Sequence, residues 1–303
     1  MKTKGTVWVL GASSGLGLAT ANAFAKDGWL VVAGARSFSQ EKKTEHKAED
    51  TDNQGDFSGM LSEMSKRENV RLFPLDATSE ESCERFVQDA LSVSEQVDVL
   101  CYSAGLLILG ACEETSPEEY ERVMQTNFVG MVRMVGKALP LMRRQNRGKI
   151  ILFSSLNGLI GIPFQSAYTA SKHAIEGYAQ CLAMESKPFG IQVSVVEPGD
   201  HQGGSQAYRL NAGEAGTASP YAAEYQSACQ TIHRDESKGL LPAPLGAKVV
   251  RNANRAKMKY YLRVATPDQK LAVWLHKLLW PRLFFSVMRS YYVKKEKRSD
   301  GSV

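Results

Sequence analysis

The sequence has few cysteines, and none of them shows the spacing that a disulfide framework or a metal site needs. Its 303 residues hold five cysteines at scattered positions, with no CxxC pair and no Cys/His cluster. This pattern excludes a small disulfide-bonded fold and a zinc site, and we predict no metal ligands. Reduced thiols are typical of the cytosol, so we expect a cytoplasmic protein.

Long apolar runs and a strong excess of one charge are also missing. No stretch reaches about 18 uninterrupted apolar residues, so no membrane-spanning helix is predicted. The N-terminus runs into glycines before a signal peptide can form. Lys and Arg number 37 against 32 Asp and Glu, and no basic stripe dominates any segment before the last few residues. We therefore predict no nucleic-acid partner.

The sequence does contain a regular alternation of strand and helix patterns over its first 200 residues. Apolar, β-branched runs predict strands at 6–10, 29–36, 69–78, 97–105, 148–163 and 191–199, and a long helix is predicted at 116–144. This alternation predicts an α/β fold, a doubly wound parallel sheet (Rossmann fold) with helices on both faces. We expect a single domain over 1–303, in which 5–200 form the cofactor-binding and catalytic core, 37–67 a charged insertion, and 200–303 a lid and a helical C-terminal extension.

A glycine-rich turn follows the first predicted strand. The sequence "GASSGLG" places Gly11, Gly15 and Gly17 between that strand and an amphipathic helix. Glycines let the backbone approach a pyrophosphate, and the helix N-terminus offers free N–H groups to it. We therefore predict a dinucleotide site here, whose other members are Ser13, Ser14 and Leu16. The alternative is a turn that packs helix on strand without a ligand.

The end of the second strand bears on the choice of dinucleotide. Proteins that prefer NAD place an acid there, against the ribose 2′-hydroxyl. This chain has Ala35 at that position, followed by Arg36 and Ser37. An arginine can hold a 2′-phosphate with charge-assisted hydrogen bonds, which favours NADP(H) over NAD(H). The alternative is that Arg36 is only a solvated charge.

Three side chains around the end of the fifth predicted strand and the start of the helix that follows it suit catalysis on a carbonyl group. Tyr168 and Lys172 lie four residues apart at the start of a predicted helix, so they share one face, and Ser155 lies thirteen residues before Tyr168. A phenol beside an ammonium has a lowered pKa and can act as an acid–base at neutral pH. Ser155 would hydrogen-bond the substrate oxygen, and Lys172 can also hold the nicotinamide ribose.

Together these motifs resemble the short-chain dehydrogenase/reductase family over about residues 5–200, and in particular its steroid and retinoid branch (17-beta-hydroxysteroid dehydrogenase and retinol dehydrogenase-like). The resemblance implies that Asn127 is catalytic through a local helix distortion. It implies homodimers or homotetramers. It also implies further cofactor contacts at Asp76, Ala77, Ser103, Ala104, Gly105, Pro198 and Gly199. Ser103 replaces an asparagine that braces the sheet in the family, so we expect a looser sheet centre.

The last hundred residues carry the expected substrate specificity. Residues 200–241 are rich in Gly, Ala and Ser, which suits a mobile lid, and His201 is taken as a polar loop residue. Further on, apolar residues recur at helical spacing and Pro281 interrupts them: Leu271, Trp274, Leu275, Leu278, Phe285 and Met288. Core packing or a substrate wall is the favoured interpretation. Attachment to a membrane surface, aided by Lys294, Lys295, Lys297 and Arg298, is the alternative.

The resulting hypothesis is an NADP(H)-dependent oxidoreductase that interconverts a ketone or aldehyde and an alcohol on a bulky lipophilic molecule, such as a steroid, bile acid or retinoid. One alternative is a 3-ketoacyl-thioester reductase on the same scaffold. The other is a binding protein that senses NADPH without catalysis. An intact Ser/Tyr/Lys set argues against the sensor, because binding alone needs no acid.

Overall fold

The structure, a computed structural model, describes residues 3–38, 57–203, 209–213, 215 and 218–293. Most of the predicted insertion, at 39–56, lies outside these residues. Ser205 in the predicted lid and the basic residues 294–298 also lie outside them.

The central element is a sheet of seven parallel strands in the order β3-β2-β1-β4-β6-β7-β9. Its strands are β1 (Thr6–Leu10), β2 (Leu30–Ala35), β3 (Val70–Pro74), β4 (Val99–Tyr102), β6 (Gly148–Phe153), β7 (Ile191–Pro198) and β9 (Tyr261–Val264). The chain builds outward from β1 in both directions, so the predicted doubly wound α/β fold is confirmed. The carboxyl ends of all seven strands meet at one edge, where such sheets bind ligands.

Helices cover both faces of this sheet because the strands are apolar at every position. Val7 and Val9 of β1 pack toward one layer of helices, and Trp8 and Leu10 pack toward the other. The helices in chain order are α1 (Gly15–Lys26), α2 (Phe57–Ser65), α3 (Glu80–Val93), α4 (Pro117–Met124), α5 (Gly130–Arg144), α6 (Ser166–Ser186), α7 (Ala222–Ser237), α8 (Pro242–Ala253), α9 (Pro267–Leu278) and α10 (Pro281–Tyr292). Of the described helices, none is long and apolar enough to cross a membrane.

Two predicted elements are longer than the observed ones. The strand predicted at 148–163 ends at Phe153, and a 3-10 turn follows at Leu156–Gly158. The Ser155 side chain accepts a hydrogen bond from the backbone N–H of Asn157, which competes with continued strand pairing. The helix predicted at 116–144 consists of α4 and α5, joined by a π-helical turn at Gln125–Val129.

The described residues after β7 form strands and helices that the sequence analysis did not predict. Two short parallel strands, β5 (Leu107–Leu109) and β8 (Arg209–Asn211), pair beside the main sheet. The helix α7 follows, and Glu236 near its end forms a salt bridge with Arg209 of β8. His201 is buried rather than an exposed loop residue, and its backbone pairs with Leu240. The sequence analysis also missed α8 and the edge strand β9, because β9 is short and carries Arg263.

Candidate active site

The glycine turn after β1 lies against the end of β4 so closely that side chains are excluded. Gly11 has a positive φ of 86°, and a Cβ atom there would lie 2.4 Å from the backbone nitrogen of Ala104. A Cβ on Gly17 would lie 2.0 Å from the Gly11 carbonyl oxygen. Ser103 donates a hydrogen bond to the Leu10 carbonyl at 2.8 Å, so the serine braces the sheet centre rather than loosening it. The close packing leaves backbone open to a ligand at this turn.

The N-terminus of α1 offers donors that suit a phosphate. Ser14 is the N-cap residue, yet its hydroxyl makes no capping bond. That oxygen is buried and has no hydrogen-bond partner among the described residues. The first N–H groups of a helix lack intrahelical acceptors, and its dipole favours an anion. The turn with Ser13, Gly15 and Leu16 therefore fits the pyrophosphate of a dinucleotide.

The neighbouring strands β2 and β3 end at the positions predicted for the adenosine half. Arg36 and Ser37 are exposed in a 3-10 turn (Arg36–Phe38) directly after β2. Asp76 follows β3, where its carboxylate accepts hydrogen bonds from the Thr78 backbone N–H at 2.9 Å and hydroxyl at 2.7 Å. The Ala77 carbonyl accepts a hydrogen bond from Arg133. These groups share the carboxyl edge of the sheet with the glycine turn.

Ser155 and Tyr168 come together at the carboxyl end of β6. Ser155 follows the strand, and Tyr168 lies in the first turn of α6. The Ser155 hydroxyl lowers the pKa of Tyr168, but burial is the larger effect and raises it to about 12. The nearby carboxylates of Glu236 and Asp200 raise it further. The structure therefore contradicts the lowered pKa expected from the sequence for the phenol.

Lys172 lies against the face of the Tyr168 ring. Its ammonium is 5.3 Å from the centre of that ring and donates a hydrogen bond to the Phe153 carbonyl at 2.8 Å. The side chain is only 4% exposed, and burial lowers the pKa of Lys172 to about 8.

Asn127 occupies the centre of the π-helical turn and is completely buried, so it is not a solvent-facing residue. Its side-chain oxygen accepts a hydrogen bond from the Leu106 backbone N–H at 2.6 Å, and its nitrogen donates to the Leu106 carbonyl and the Ser171 hydroxyl, both at 2.9 Å. Asn127 thus connects the loop after β4 to α6 immediately before Lys172.

Pro198 and Gly199 end β7 at the same edge of the sheet. The Gly199 N–H donates to the Val264 carbonyl at 2.9 Å, and its carbonyl is 2.9 Å from Nδ1 of His201. Asp200 accepts a hydrogen bond from Gln269 at 2.6 Å. Burial and the neighbouring Glu236 raise the pKa of Asp200 to about 7. This acid follows Gly199, where the family has a threonine.

Tyr168 packs against a small apolar cluster of Leu107 and Leu109 from β5 and Ile232 from α7. Tyr225 of α7 and Tyr292 of α10 pack against the same three residues. Elements that are far apart along the chain therefore meet beside the candidate active site.

Sequence analysis missed residues that hold this site in place. Asn157 donates to Gln165 at 2.8 Å and shares a 3.2 Å hydrogen bond with the Ser155 hydroxyl. The sequence feature that could have pointed to Asn157 is an asparagine within an otherwise apolar run. Glu176, one turn beyond Lys172, and the pair of Asp200 and Gln269 were also missed. Their partners come from distant elements, so no local pattern marks them.

The comparisons with known proteins identify the family. The model of the short chain dehydrogenase family matches residues 5–209. A 3-ketodihydrosphingosine reductase from Bacteroides thetaiotaomicron is 34% identical over 265 residues, which are 88% of this chain and 89% of that protein. Human retinol dehydrogenase 8 is 36% identical over 198 residues, which are 64% of this chain and 58% of that protein.

Solved structures agree with this result. A short-chain dehydrogenase from Streptomyces avermitilis superposes with a TM-score of 0.73 at 26% identity, covering 95% of this chain and 97% of that one. ElxO with NADP bound shares the fold, with a TM-score of 0.66 at 22% identity over 87% of this chain and 97% of that one. The chain belongs to the short chain dehydrogenase family. It is an oxidoreductase that acts on CH–OH groups, and its relatives include the retinoid branch that its sequence resembles.

Proposed function

We propose that this protein is an NADP(H)-dependent oxidoreductase that interconverts a ketone or aldehyde and an alcohol on a bulky lipophilic substrate. The observation that carries the proposal is that Ser155 and Tyr168 lie together at the carboxyl end of β6, with an apolar cluster packed against Tyr168. Apolar surroundings with a few polar groups at one end suit molecules that are mostly hydrocarbon. The cytoplasmic location and the homodimer or homotetramer predicted from the sequence stay predictions.

The proposed roles follow from position and protonation state. NADP(H), when bound, supplies or accepts the hydride. Tyr168 is protonated at neutral pH because its pKa is raised to about 12, so it can donate its proton to the carbonyl oxygen during reduction. Ser155 would hydrogen-bond the same oxygen, and Lys172 would hold the nicotinamide ribose. Ser14 and the glycine turn would bind the pyrophosphate.

NADP(H) is proposed because Arg36 follows β2 where an NAD-preferring protein has an acid. Arg36 is exposed at the end of β2, and its guanidinium would hold the 2′-phosphate when NADP(H) is bound. ElxO, which shares the fold, was solved with NADP.

The test of the reaction replaces Tyr168 by phenylalanine in the whole chain. Since a positioned acid contributes about 10²–10⁴-fold to such rates, Tyr168→Phe should reduce turnover of a lipophilic ketone by that factor. NADPH binding, followed by the fluorescence of the reduced cofactor, should stay close to the wild-type value. Unchanged turnover would refute the assignment of the acid, and a loss of NADPH binding would show that the variant is simply misfolded.

A second candidate is reduction of a 3-ketone on a long-chain lipid. It is favoured by the 3-ketodihydrosphingosine reductase among the relatives, which matches nearly nine tenths of this chain. A panel of steroid, bile-acid and retinoid ketones, 3-ketodihydrosphingosine and a 3-ketoacyl thioester, assayed by NADPH absorbance, separates the two candidates. If none of these carbonyl compounds causes consumption of NADPH, the NADPH-sensing alternative is favoured.

A further inference from the structure

The two C-terminal helices, α9 and α10, carry apolar residues on the inner side, which packs on the rest of the protein, and on the outer side, which faces solvent. On the inner side, Val273 and Phe284 are buried against Leu156 and Ile160 in the loop that follows Ser155. On the outer side, six large apolar residues are each more than half exposed, and we call them the C-terminal apolar surface: Leu271, Trp274, Leu278, Trp280, Leu283 and Phe285. Trp280, between the helices, is 83% exposed. Core packing, favoured from the sequence, is therefore wrong for Leu271, Trp274, Leu278 and Phe285.

Exposed apolar side chains are concentrated on this surface. Of the thirteen large hydrophobic residues that are exposed among the described residues, eight lie between Leu271 and Tyr291. Single exposed apolar residues are ordinary, but contiguous patches of this kind mark interaction sites. The inner side of α9 and α10 already has its partners. Among the described residues, the outer side chains have no comparable apolar partner.

The charge of the same region indicates what that partner is. Residues 267–303 hold eight Lys and Arg and three Asp and Glu, a net charge of +5. This equals the net charge of the whole chain, so the preceding 266 residues are neutral as a group. A partner that is both apolar and negatively charged complements this surface, and a membrane with anionic lipids has both properties.

We propose that the C-terminal apolar surface docks on an anionic lipid membrane, with α9 and α10 lying in the interface rather than crossing it. Each helix has twelve residues, whereas a span requires about 20. Tryptophan and leucine beside lysine and arginine are typical of helices at the membrane–water boundary. A second copy of the chain fits less well, because both partners would present the same positive charge to each other.

The docking surface and the apolar cluster beside Tyr168 share helix α10. This helix exposes Leu283 and Phe285 on its outer side, while Tyr292 at its end packs against Leu107, Leu109 and Ile232, the cluster against which Tyr168 also packs. Docking itself does not depend on the proposed reaction, so the two fail independently.

Vesicle binding by the full chain tests the proposal, and its tryptophans supply the signal. The chain has four tryptophans, of which Trp8 and Trp29 are buried in the core. A blue shift of fluorescence and quenching by brominated acyl chains would therefore report Trp274 and Trp280. With vesicles of phosphatidylcholine plus phosphatidylserine, we expect about tenfold or more tighter binding than with phosphatidylcholine alone, because each lysine or arginine near the surface adds attraction.

Two variants separate the apolar and the charged contributions. The double variant Leu278→Ser/Trp280→Ser should weaken vesicle binding about tenfold or more, and so should Lys294→Glu/Lys295→Glu. Met184→Ser is the matched control, because Met184 is equally exposed but lies on α6. It should bind as the wild type does. Circular dichroism and thermal unfolding confirm that each variant is folded.

The results of these measurements decide whether a membrane or a second copy of the chain covers the C-terminal apolar surface. Binding that requires both anionic lipid and the outer residues supports the proposal. Absence of binding to anionic vesicles, or equal binding to neutral ones, overturns it. Self-association that Leu278→Ser/Trp280→Ser abolishes, without any vesicle binding, assigns the surface to a second copy of the chain and likewise overturns it.

Discussion

At the scale of single residues, the site is dominated by the cost of burying charge. Burial raises the pKa of Tyr168 to about 12 and lowers the pKa of Lys172 to about 8, so it shifts each side chain toward its neutral form. The phenol therefore carries its proton at neutral pH, as carbonyl reduction requires, but it is a weaker acid than an ordinary tyrosine. The sequence predicted the proximity of the two residues. It did not reveal how deeply both are buried.

Glu176 is the group that counteracts this effect at Lys172. It lies one turn further along α6, is 7% exposed, and its carboxylate raises the pKa of Lys172. Burial raises the pKa of Glu176 itself to about 7, with the Ser154 hydroxyl and the Lys172 ammonium opposing that rise. One of its carboxylate oxygens has no hydrogen-bond partner among the described residues.

Charged groups from two strands also face Glu176. Glu197 of β7 raises its pKa and Arg263 of β9 lowers it. These two side chains form a salt bridge at 2.6 Å. Tyr260 directly precedes β9, and Tyr261 is its first residue. Burial raises the pKa of both tyrosines, and the Glu176 carboxylate raises it further.

We expect Glu176→Gln to move the alkaline limb of the reduction profile to lower pH. Without the carboxylate, the pKa of Lys172 falls below about 8, so the ammonium that would hold the ribose is lost earlier as pH rises. The shift should be up to about one unit in kcat/KM. A purely structural role for Glu176 would lower kcat/KM at every pH without displacing the limb. Glu185→Gln, on the exposed side of the same helix, is the control and should leave the profile in place.

Glu176→Gln should also change the way in which the free energy of unfolding depends on pH. The pKa of Glu176 is raised on folding, from 4.5 to about 7. Its contribution to stability is therefore complete below pH 4.5 and is lost as pH rises through 7. The free energy of unfolding of Glu176→Gln, measured in urea, should not fall in this way as pH rises through 7. A parallel pH dependence in the wild type and the variant would contradict the burial of an ionisable acid here.

Arg36 should decide the choice of cofactor. Since a hydrogen bond to a charged group contributes about 1.5–3 kcal/mol, Arg36→Ala should raise the KM for NADPH about 10- to 100-fold. The KM for NADH, which has no 2′-phosphate, should change little. Arg85→Ala, an exposed arginine of α3 that pairs with Glu81, should alter neither value. Equal effects of Arg36→Ala on both cofactors would remove the argument for NADP(H).

At the scale of elements, the π-helical turn is the feature that joins the fold to the site. It inserts an extra residue between α4 and α5, which widens the helix at Gln125–Val129. Asn127 then reaches both the loop after β4 and α6, and the Tyr102 hydroxyl donates to the Thr126 carbonyl at 2.6 Å. The sequence showed an asparagine that is a poor helix former, but the three partners it binds are distant along the chain.

Asn127→Ala tests this connection, and Asn252→Ala provides a matched control. Both asparagines are buried, and each makes three hydrogen bonds, two to backbone and one to a serine hydroxyl. Asn252 joins α8 to Ser194 of β7 and to Lys259, two residues before β9. Each substitution should lower the free energy of unfolding by about 1–3 kcal/mol, measured in urea. Only Asn127→Ala should also reduce kcat. An equal kcat in the two variants would show that Asn127 is structural alone.

At the scale of the whole molecule, the net charge is partitioned between a neutral body and a basic C-terminal region. The large exposed apolar residues cluster in the same region. A single end of the chain thus provides both attractions that a lipid surface requires.

The fold and most of the site were predictable because their signals are local. The strand–glycine–helix pattern at Gly11–Gly17 and the shared helix face of Tyr168 and Lys172 follow from backbone geometry within a few residues. The strand ends were less predictable. Ser155 and Asp76 terminate their elements through side-chain hydrogen bonds, which compete with strand pairing in ways that hydrophobic patterns do not show.

The amino-acid sequence by itself determined the alternation of strands and helices in the main sheet up to β7, the cofactor turn and the identity of the three polar side chains at the carboxyl edge, because each depends on contacts between near neighbours. Only the tertiary structure decided the raised pKa of Tyr168, the position of Glu176 behind Lys172, and which apolar residues of α9 and α10 face outward. These depend on burial, and burial is set by elements that are far apart along the chain.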